Sequence, residues 1–263
     1  MKAEIKDLDL PELLPYRCTK ENLLRDRGLF IAESPEVIRK ALKRGYEPVS
    51  LLMDRRHEKG QAADLLPLCG EADIFLASPE QLTALTGFSL TKGVMALMKR
   101  KPLPEAGELL SRCERAAVLE NITNQTNVGA VFRSAAALGY DCVLLDKTCS
   151  DPLFRRSVRV SMGTVFDIPW TYLEGESPAY VETVRSAGFT AAALALREDA
   201  TPIDDASLRE AKKLALLLGT EGTGLRAETI SACDKTVIIP MSAGVDSLNV
   251  AAAAAVAFYA TRK

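Results

Sequence analysis

The feature that most restricts the fold is an alternation in the C-terminal half of the chain. Short, largely apolar runs at 116–119, 142–145, 165–168, 189–196, 214–218 and 237–239 are separated by segments of helical character. A strand that is apolar at every position has both faces buried. Strands of that kind, spaced by helices, imply a parallel sheet covered on both sides and hence an α/β protein. In that architecture ligands bind outside the carboxyl ends of the strands, where the loops turn into helices.

The first hundred residues alternate in a similar way. The run 29–32 is followed by Ser34-Pro35-Glu36, a cap-competent serine with proline at the first helical position and an early acid. This predicts a helix through Val37, Ile38, Ala41 and Leu42 that stops near Gly45. Strands are predicted at 49–53, 74–77 and 94–98, and Ser78-Pro79-Glu80-Gln81 reads as a capping-box helix start. Residues 99–107 (KRKPLPEAG) then change composition abruptly, with two prolines, a glycine and a run of charge. The expected domains are 1–100 and 108–263.

Composition removes several classes of function. No apolar run approaches the ~20 residues of a membrane helix, and the alanine-rich stretch 250–260 ends in Thr261-Arg262-Lys263. The N-terminus (MKAEIKDLDL) lacks the apolar centre of a signal peptide, so the expected location is the cytoplasm, with no membrane partner. Six cysteines form no C-x-x-C pair and His57 is the single histidine, so reduced thiols and no metal are expected. The same count removes the usual general base. The formal net charge is −2, and local clusters such as Arg39-Lys40, Arg55-Arg56 and Lys99-Arg100-Lys101 read first as solvated faces.

Chemistry concentrates in three cassettes at strand ends: 121–137, 217–225 and 239–255. In the first, a helix is predicted over 128–138, Gly129 permits close backbone approach, and Arg133 falls six residues after Asn127. A planar, permanently charged guanidinium there suits a phosphate or carboxylate. Asn127 as a helix cap with Arg133 in a surface ion pair explains the stretch equally well. The second cassette, Gly219-Thr220-Glu221-Gly222-Thr223-Gly224, lacks the lysine of a P-loop and does not fit G-x-G-x-x-G. A glycine-rich turn after a core strand can lay a cofactor against backbone amides; Glu221 could also be only a partner of a helix N-terminus. The third runs Ile239-Pro240-Met241, a loop with Gly244, then Ser247-Leu248-Asn249 opening a helix of very small residues. Ser247 is the expected cap. A capped core helix explains Ser247 and the alanines but not Asn249.

Together, over 116–262, these cassettes resemble in order and spacing the three motifs of the SpoU/TrmH class of SPOUT RNA methyltransferases. Asp151-Pro152-Leu153-Phe154-Arg155-Arg156 and Ser161-Met162-Gly163 are also similar to that family. Where the family often has Asp-Pro-Gly before its asparagine, this chain has Asn124-Gln125-Thr126, with Asn127 and Arg133 kept. The N-terminal hundred residues resemble the ribosomal-L30e-like RNA-binding domain through Phe30-Ile31-Ala32-Glu33, the helix after it and Lys92-Gly93-Val94.

The resemblance implies an α/β-knot (SPOUT) catalytic domain with a C-terminal trefoil knot, a rare exception to unknotted topology, preceded by an L30e-like α/β domain. It implies S-adenosyl-L-methionine held by Leu218, Gly219, Glu221, Gly222, Ile239, Met241, Leu248 and Asn249, and transfer of its methyl group to a ribose 2′-hydroxyl. The substrate would be structured RNA, with the L30e-like domain favouring ribosomal over transfer RNA. Arg133 is the implied catalytic residue, with Asn127, Glu221, Ser247 and Asn249 around it. Because a guanidinium keeps its proton up to a pKa above ~12, orienting a phosphate and stabilising an alkoxide is the role chemistry supports. A homodimer is implied in which this arginine approaches the partner's cofactor, with the alanines after Asn249 and exposed positions near Val131 and Phe132 as candidate contacts. The rival readings are a transfer-RNA 2′-O-methyltransferase, a non-catalytic RNA-binding protein of the same fold, and an α/β enzyme using another nucleotide. The intact polar residues oppose the second, and the missing P-loop lysine and dinucleotide fingerprint oppose the third.

Overall fold

The computed structural model describes residues 2–17, 21–242 and 247–263; Cys18 and Gly244 lie outside them. The chain divides into two compact units. One comprises Met1–Pro102 with Leu153–Phe166, the other Leu103–Pro152 with Asp167–Lys263.

The first unit contains β1 (Lys2–Glu4), α1 (Glu21–Asp26), β2 (Leu29–Glu33), α2 (Pro35–Lys43), β3 (Pro48–Asp54), β4 (Asp73–Ala77), α3 (Pro79–Thr86) and β5 (Val94–Lys99). Its sheet runs β1-β4-β3-β5-β2, parallel from β1 to β3, with β5 antiparallel to both of its neighbours. The local chemistry acts as expected at both helix starts. Ser34 Oγ accepts from Val37 N at 3.4 Å, and Ser78 and Gln81 bond reciprocally as a capping box. Gly87, at φ +78°, closes α3 in the left-handed region that glycine tolerates. β1 has no apolar signature because it is a short edge strand.

The second unit is built from α4 (Ala106–Ser111), β6 (Arg115–Leu119), α5 (Gln125–Ala137) and β7 (Cys142–Leu145). After α6 (Arg155–Val160), which belongs to the first unit, come β8 (Trp170–Tyr172), α7 (Ala179–Ser186), β9 (Thr190–Leu194), β10 (Thr201–Pro202) and α8 (Ala206–Glu210). The chain ends with β11 (Leu214–Leu218), α9 (Ala227–Ala232), β12 (Lys235–Ile238) and α10 (Val250–Thr261). All seven strands are parallel, in the order β10-β12-β9-β11-β6-β7-β8. From β6 the chain moves outward through β7 and β8, then returns to the opposite side for β9. The carboxyl ends of β6 and β11 therefore flank a topological switch point, where open α/β sheets hold ligands.

Four local expectations are corrected. The run 165–168 is not a strand: Thr164–Phe166 is a 3-10 turn after Met162 and Gly163, both at positive φ, and the edge strand is β8. Val165, Phe166 and Ile168 are apolar because they are buried, not because they pair in a sheet. Asn124 rather than Asn127 caps α5, its Oδ1 accepting from Thr126 N at 2.9 Å. Asn249 rather than Ser247 caps α10, its Oδ1 accepting from Ala251 N at 3.0 Å. Val131 and Phe132 are fully buried, with Phe132 edge-on to Trp170 at 6.2 Å, so they offer no exposed apolar surface.

Leu153–Phe166 is tied into the first unit by charge and rings. Buried Glu33 pairs with Arg155 at 3.1 Å and Arg159 at 3.5 Å, Arg155 lies over the Phe88 ring at 4.1 Å, and Phe166 packs on Phe30 and Tyr46. In the second unit, α10 lies against α5 with Ala254, Ala257 and Phe258 buried. Its far end is fixed by Arg115, whose buried guanidinium donates to the Thr261, Ala211, Arg209 and Glu114 carbonyls at 2.7–3.1 Å. The Thr261, Arg209 and Ala211 carbonyls belong to the ends of α10 and α8, where acceptors lack intrahelical donors and a cation is favoured.

Candidate functional site

β11 ends in consecutive leucines and is followed by a loop, 219–225, in which three of seven residues are glycine. A Cβ on Gly219 would stand 2.2 Å from the Gly224 carbonyl carbon, so the turn closes only with glycine there. Gly224 N donates to Thr220 O at 3.0 Å, and Gly224 itself sits at φ +70°. This tight loop, the end of β12 and the segment leading into α10 enclose a cavity of about 450 Å³.

Of the residues expected to hold a cofactor, Leu218, Gly219, Glu221, Gly222, Ile239, Met241 and Leu248 line this cavity. Asn249 does not line it but bonds to Glu221. Ser247 lines it as well, exposed on the wall. A fourth wall comes from Leu194, Ala195 and Leu196 at the end of β9, which sequence reasoning missed. The run 189–196 reads as a strand, but nothing in it says that β9 lies beside β11.

At the rim, one residue from each cassette meets the others. Asn127, buried on α5, donates through Nδ2 to Glu221 Oε1 at 2.8 Å and accepts at Oδ1 from Asn249 Nδ2 at 3.2 Å. Asn249 Nδ2 also donates to Glu221 Oε1, while its own carbonyl oxygen caps α10. Its amide thus divides its work: the oxygen ends a helix and the nitrogen joins the cluster. This answers the even choice left at Asn127, which is a member of the cluster and not a cap.

Arg133 stands apart. It is exposed on α5, does not line the cavity, and forms no ion pair among the described residues. The alternative that it serves a surface ion pair therefore has no carboxylate to support it. A further residue that sequence reasoning missed is Glu120, a carboxylate only 1% exposed at the end of β6. Its one signal was an acid directly after the apolar run 116–119.

A parallel α/β unit with a cavity at the carboxyl ends of β9, β11 and β12, edged by a polar cluster from three separate segments of the chain, defines a small-molecule or cofactor site. The model of the SpoU rRNA methylase family matches residues 114–259, and the chain belongs to that family. An uncharacterized tRNA/rRNA methyltransferase of Mycobacterium bovis is 35% identical, the match covering 97% of this chain and 90% of that protein. A 23S rRNA (guanosine-2′-O-)-methyltransferase of Acinetobacter baylyi is 30% identical over 70% of this chain and 75% of its own length. The structure of the SpoU methyltransferase AviRb from Streptomyces viridochromogenes, in complex with AdoMet, is similar with a TM-score of 0.81 at 26% identity. It covers 95% of this chain and 97% of that one.

Proposed function

We propose that this protein transfers a methyl group from S-adenosylmethionine to a ribose 2′-hydroxyl of structured RNA, ribosomal RNA ahead of transfer RNA. The observation that carries the reading is the Asn127–Glu221–Asn249 cluster at the mouth of the glycine-lined cavity. The printed activity of the Acinetobacter relative and the AdoMet complex of AviRb support it.

The residues fit the cofactor. A cavity of about 450 Å³ lies within the ordinary range of roughly 300–1,000 Å³ for such sites. Its leucine, isoleucine and methionine walls suit an apolar body, and the exposed backbone of Gly222 suits a close polar edge. Bound there, the cofactor supplies a methyl group already activated for attack, so the protein must add alignment and charge stabilisation. Arg133 takes the RNA phosphate with its two-pronged guanidinium and stabilises the alkoxide developing at the 2′-oxygen. The 2′-hydroxyl proton passes to solvent water as the oxygen takes the methyl group. Asn127, Glu221, Ser247 and Asn249 fix the polar edge at which the hydroxyl meets the cofactor.

The proposal includes the trefoil knot, the L30e-like N-terminal domain as the RNA-recognition part, and a cytoplasmic location, to which the five free described cysteines are suited. Among the described residues no helix is long and apolar enough to cross a membrane. Calorimetry with S-adenosylmethionine, ATP and NAD tests the cofactor, and saturable binding of S-adenosylmethionine alone is expected. Binding of either nucleotide in its place would defeat the reading. Incorporation of labelled methyl into ribosomal against transfer RNA, followed by mapping of 2′-O-methyl positions, then decides the substrate.

A homodimer completes the proposal. Arg133 does not line its own cavity, while Val256 and Tyr259 are exposed on α10 beside a second hollow of about 490 Å³ that Ile203 and Pro240 help to line. Pairing about a two-fold axis buries the same patch on both copies. Light scattering at low micromolar concentration is expected to give the dimer mass. Mixing Arg133→Ala with Asn249→Ala protein should restore about a quarter of the activity, because half the dimers are mixed and each has one intact site. A fully active monomer defeats the dimer, and proven subunit exchange without recovery defeats site sharing.

A further inference from the structure

Both ends of the cavity loop are bonded to one residue. Glu120 N donates to Leu218 O at 2.9 Å, at the end of β11. Its Oε1 accepts from Arg226 N at 2.7 Å, directly after Leu225. Residues 219–225 lie between these two attachments, and three of the seven are glycine. Such a stretch has little side-chain packing to hold its shape and loses much backbone freedom when ordered.

The carboxylate that closes this clamp is deeply buried and fully used. Oε2 accepts from the Thr229 hydroxyl at 2.5 Å and from the Tyr180 hydroxyl. Burial, with the hydrogen bond to Glu120 added to it, pushes the Tyr180 pKa up, which keeps that hydroxyl a donor. A buried carboxylate is costly unless its lone pairs are satisfied, and here a backbone amide and two hydroxyls satisfy it. The frame reaches further through Arg226, whose side chain donates to Asp146 at 3.4 Å. Buried Asp146 in turn accepts from Asn121 N at 3.1 Å and Cys149 N at 3.0 Å, holding the turn that precedes α5 and Asn127.

We propose that Glu120 is a positioning residue for the cofactor cavity: by bonding both ends of the 219–225 loop it presets the cavity before a ligand arrives. This inference rests on the reading of that cavity as the S-adenosylmethionine site. Preorganisation of this kind is read as ligand affinity, because a loop already ordered has less entropy to lose on binding.

The test is calorimetric titration of the full chain with S-adenosylmethionine, with hydrogen exchange of the loop amides alongside. Glu120→Ala leaves three donors without an acceptor, and an affinity loss of about 10-fold or more is expected, with faster exchange across 219–226. Glu120→Gln keeps the Arg226 bond through its carbonyl oxygen and can donate to Thr229, so it should stay within about threefold of the parent. Tyr140→Phe removes the buried hydroxyl bond to Thr261 at the far end of α10 and serves as the stability control. It should lower Tm and leave affinity unchanged. Should Glu120→Ala not fold, Thr229→Val takes its place with a smaller loss of affinity expected. Parent-like affinity and loop exchange in Glu120→Ala, or in Thr229→Val as its substitute, overturn the proposal, as does an affinity loss in Tyr140→Phe that tracks its Tm. If the unmodified chain itself fails to bind S-adenosylmethionine, the reading of the cavity fails first and this inference with it.

Discussion

Arg133→Ala is expected to lower single-turnover methyl transfer by on the order of 10²-fold or more while leaving cofactor affinity unchanged. The structure separates the two effects. Arg133 is exposed on α5, lines no part of the cavity and forms no ion pair among the described residues, so its removal disturbs neither fold nor cofactor walls. What is lost, in the proposed mechanism, is the charge that meets the RNA phosphate. Arg133→Lys should recover little, because an ammonium offers a point charge where a phosphate needs two parallel donors. A near-normal single-turnover rate in Arg133→Ala would remove the residue from the mechanism.

Gly219→Ala should abolish measurable cofactor binding, with an affinity loss of about 10²-fold or more expected from a loop that can no longer close. The added Cβ would lie 2.2 Å from the Gly224 carbonyl carbon and 2.3 Å from Leu225 N. These are backbone atoms, which cannot swing aside as the end of a flexible side chain can. Gly222→Ala is the informative comparison: a Cβ there meets nothing within 4 Å, so the chain accepts it. Any loss of affinity at Gly222 then reports contact with the ligand itself. Calorimetry on both variants, with Tm measured for each, checks the pair; parent-like binding by Gly219→Ala would show that the turn is not needed for the site.

The sequence by itself determined most of the elements and the chemistry stored in them. Runs such as 142–145 and 214–218 coincide with β7 and β11 because strands buried on both faces must be apolar throughout. Ser34 and Ser78 start their helices as expected because a cap is a bond across only three residues. The glycine-rich turn after β11 was also visible, since only a missing side chain lets backbone approach backbone that closely.

Only the tertiary structure decided which distant groups meet. Asn127 and Glu221 are 94 residues apart, Asn127 and Asn249 are 122 apart, and their hydrogen bonds exist because β11 lies beside β6 while α10 packs on α5. Apolarity reports burial but not the partner. For that reason 165–168 reads as a strand although it holds a 3-10 turn, Val131 and Phe132 read as surface although they are buried, and nothing local marks the end of β9 as a wall of the cavity. The same limit hid the caps: Ser247 is as good a cap by composition as Asn249, and only the seating of α10 on α5 selects between them. Glu120 is the clearest case. Beside an apolar strand a lone acid reads as its polar end, and its three buried donors come from residues 60 to 109 positions away. Local sequence fixes φ, ψ and which faces avoid water, whereas strand order in a parallel sheet is set by crossovers whose contacts are all long-range.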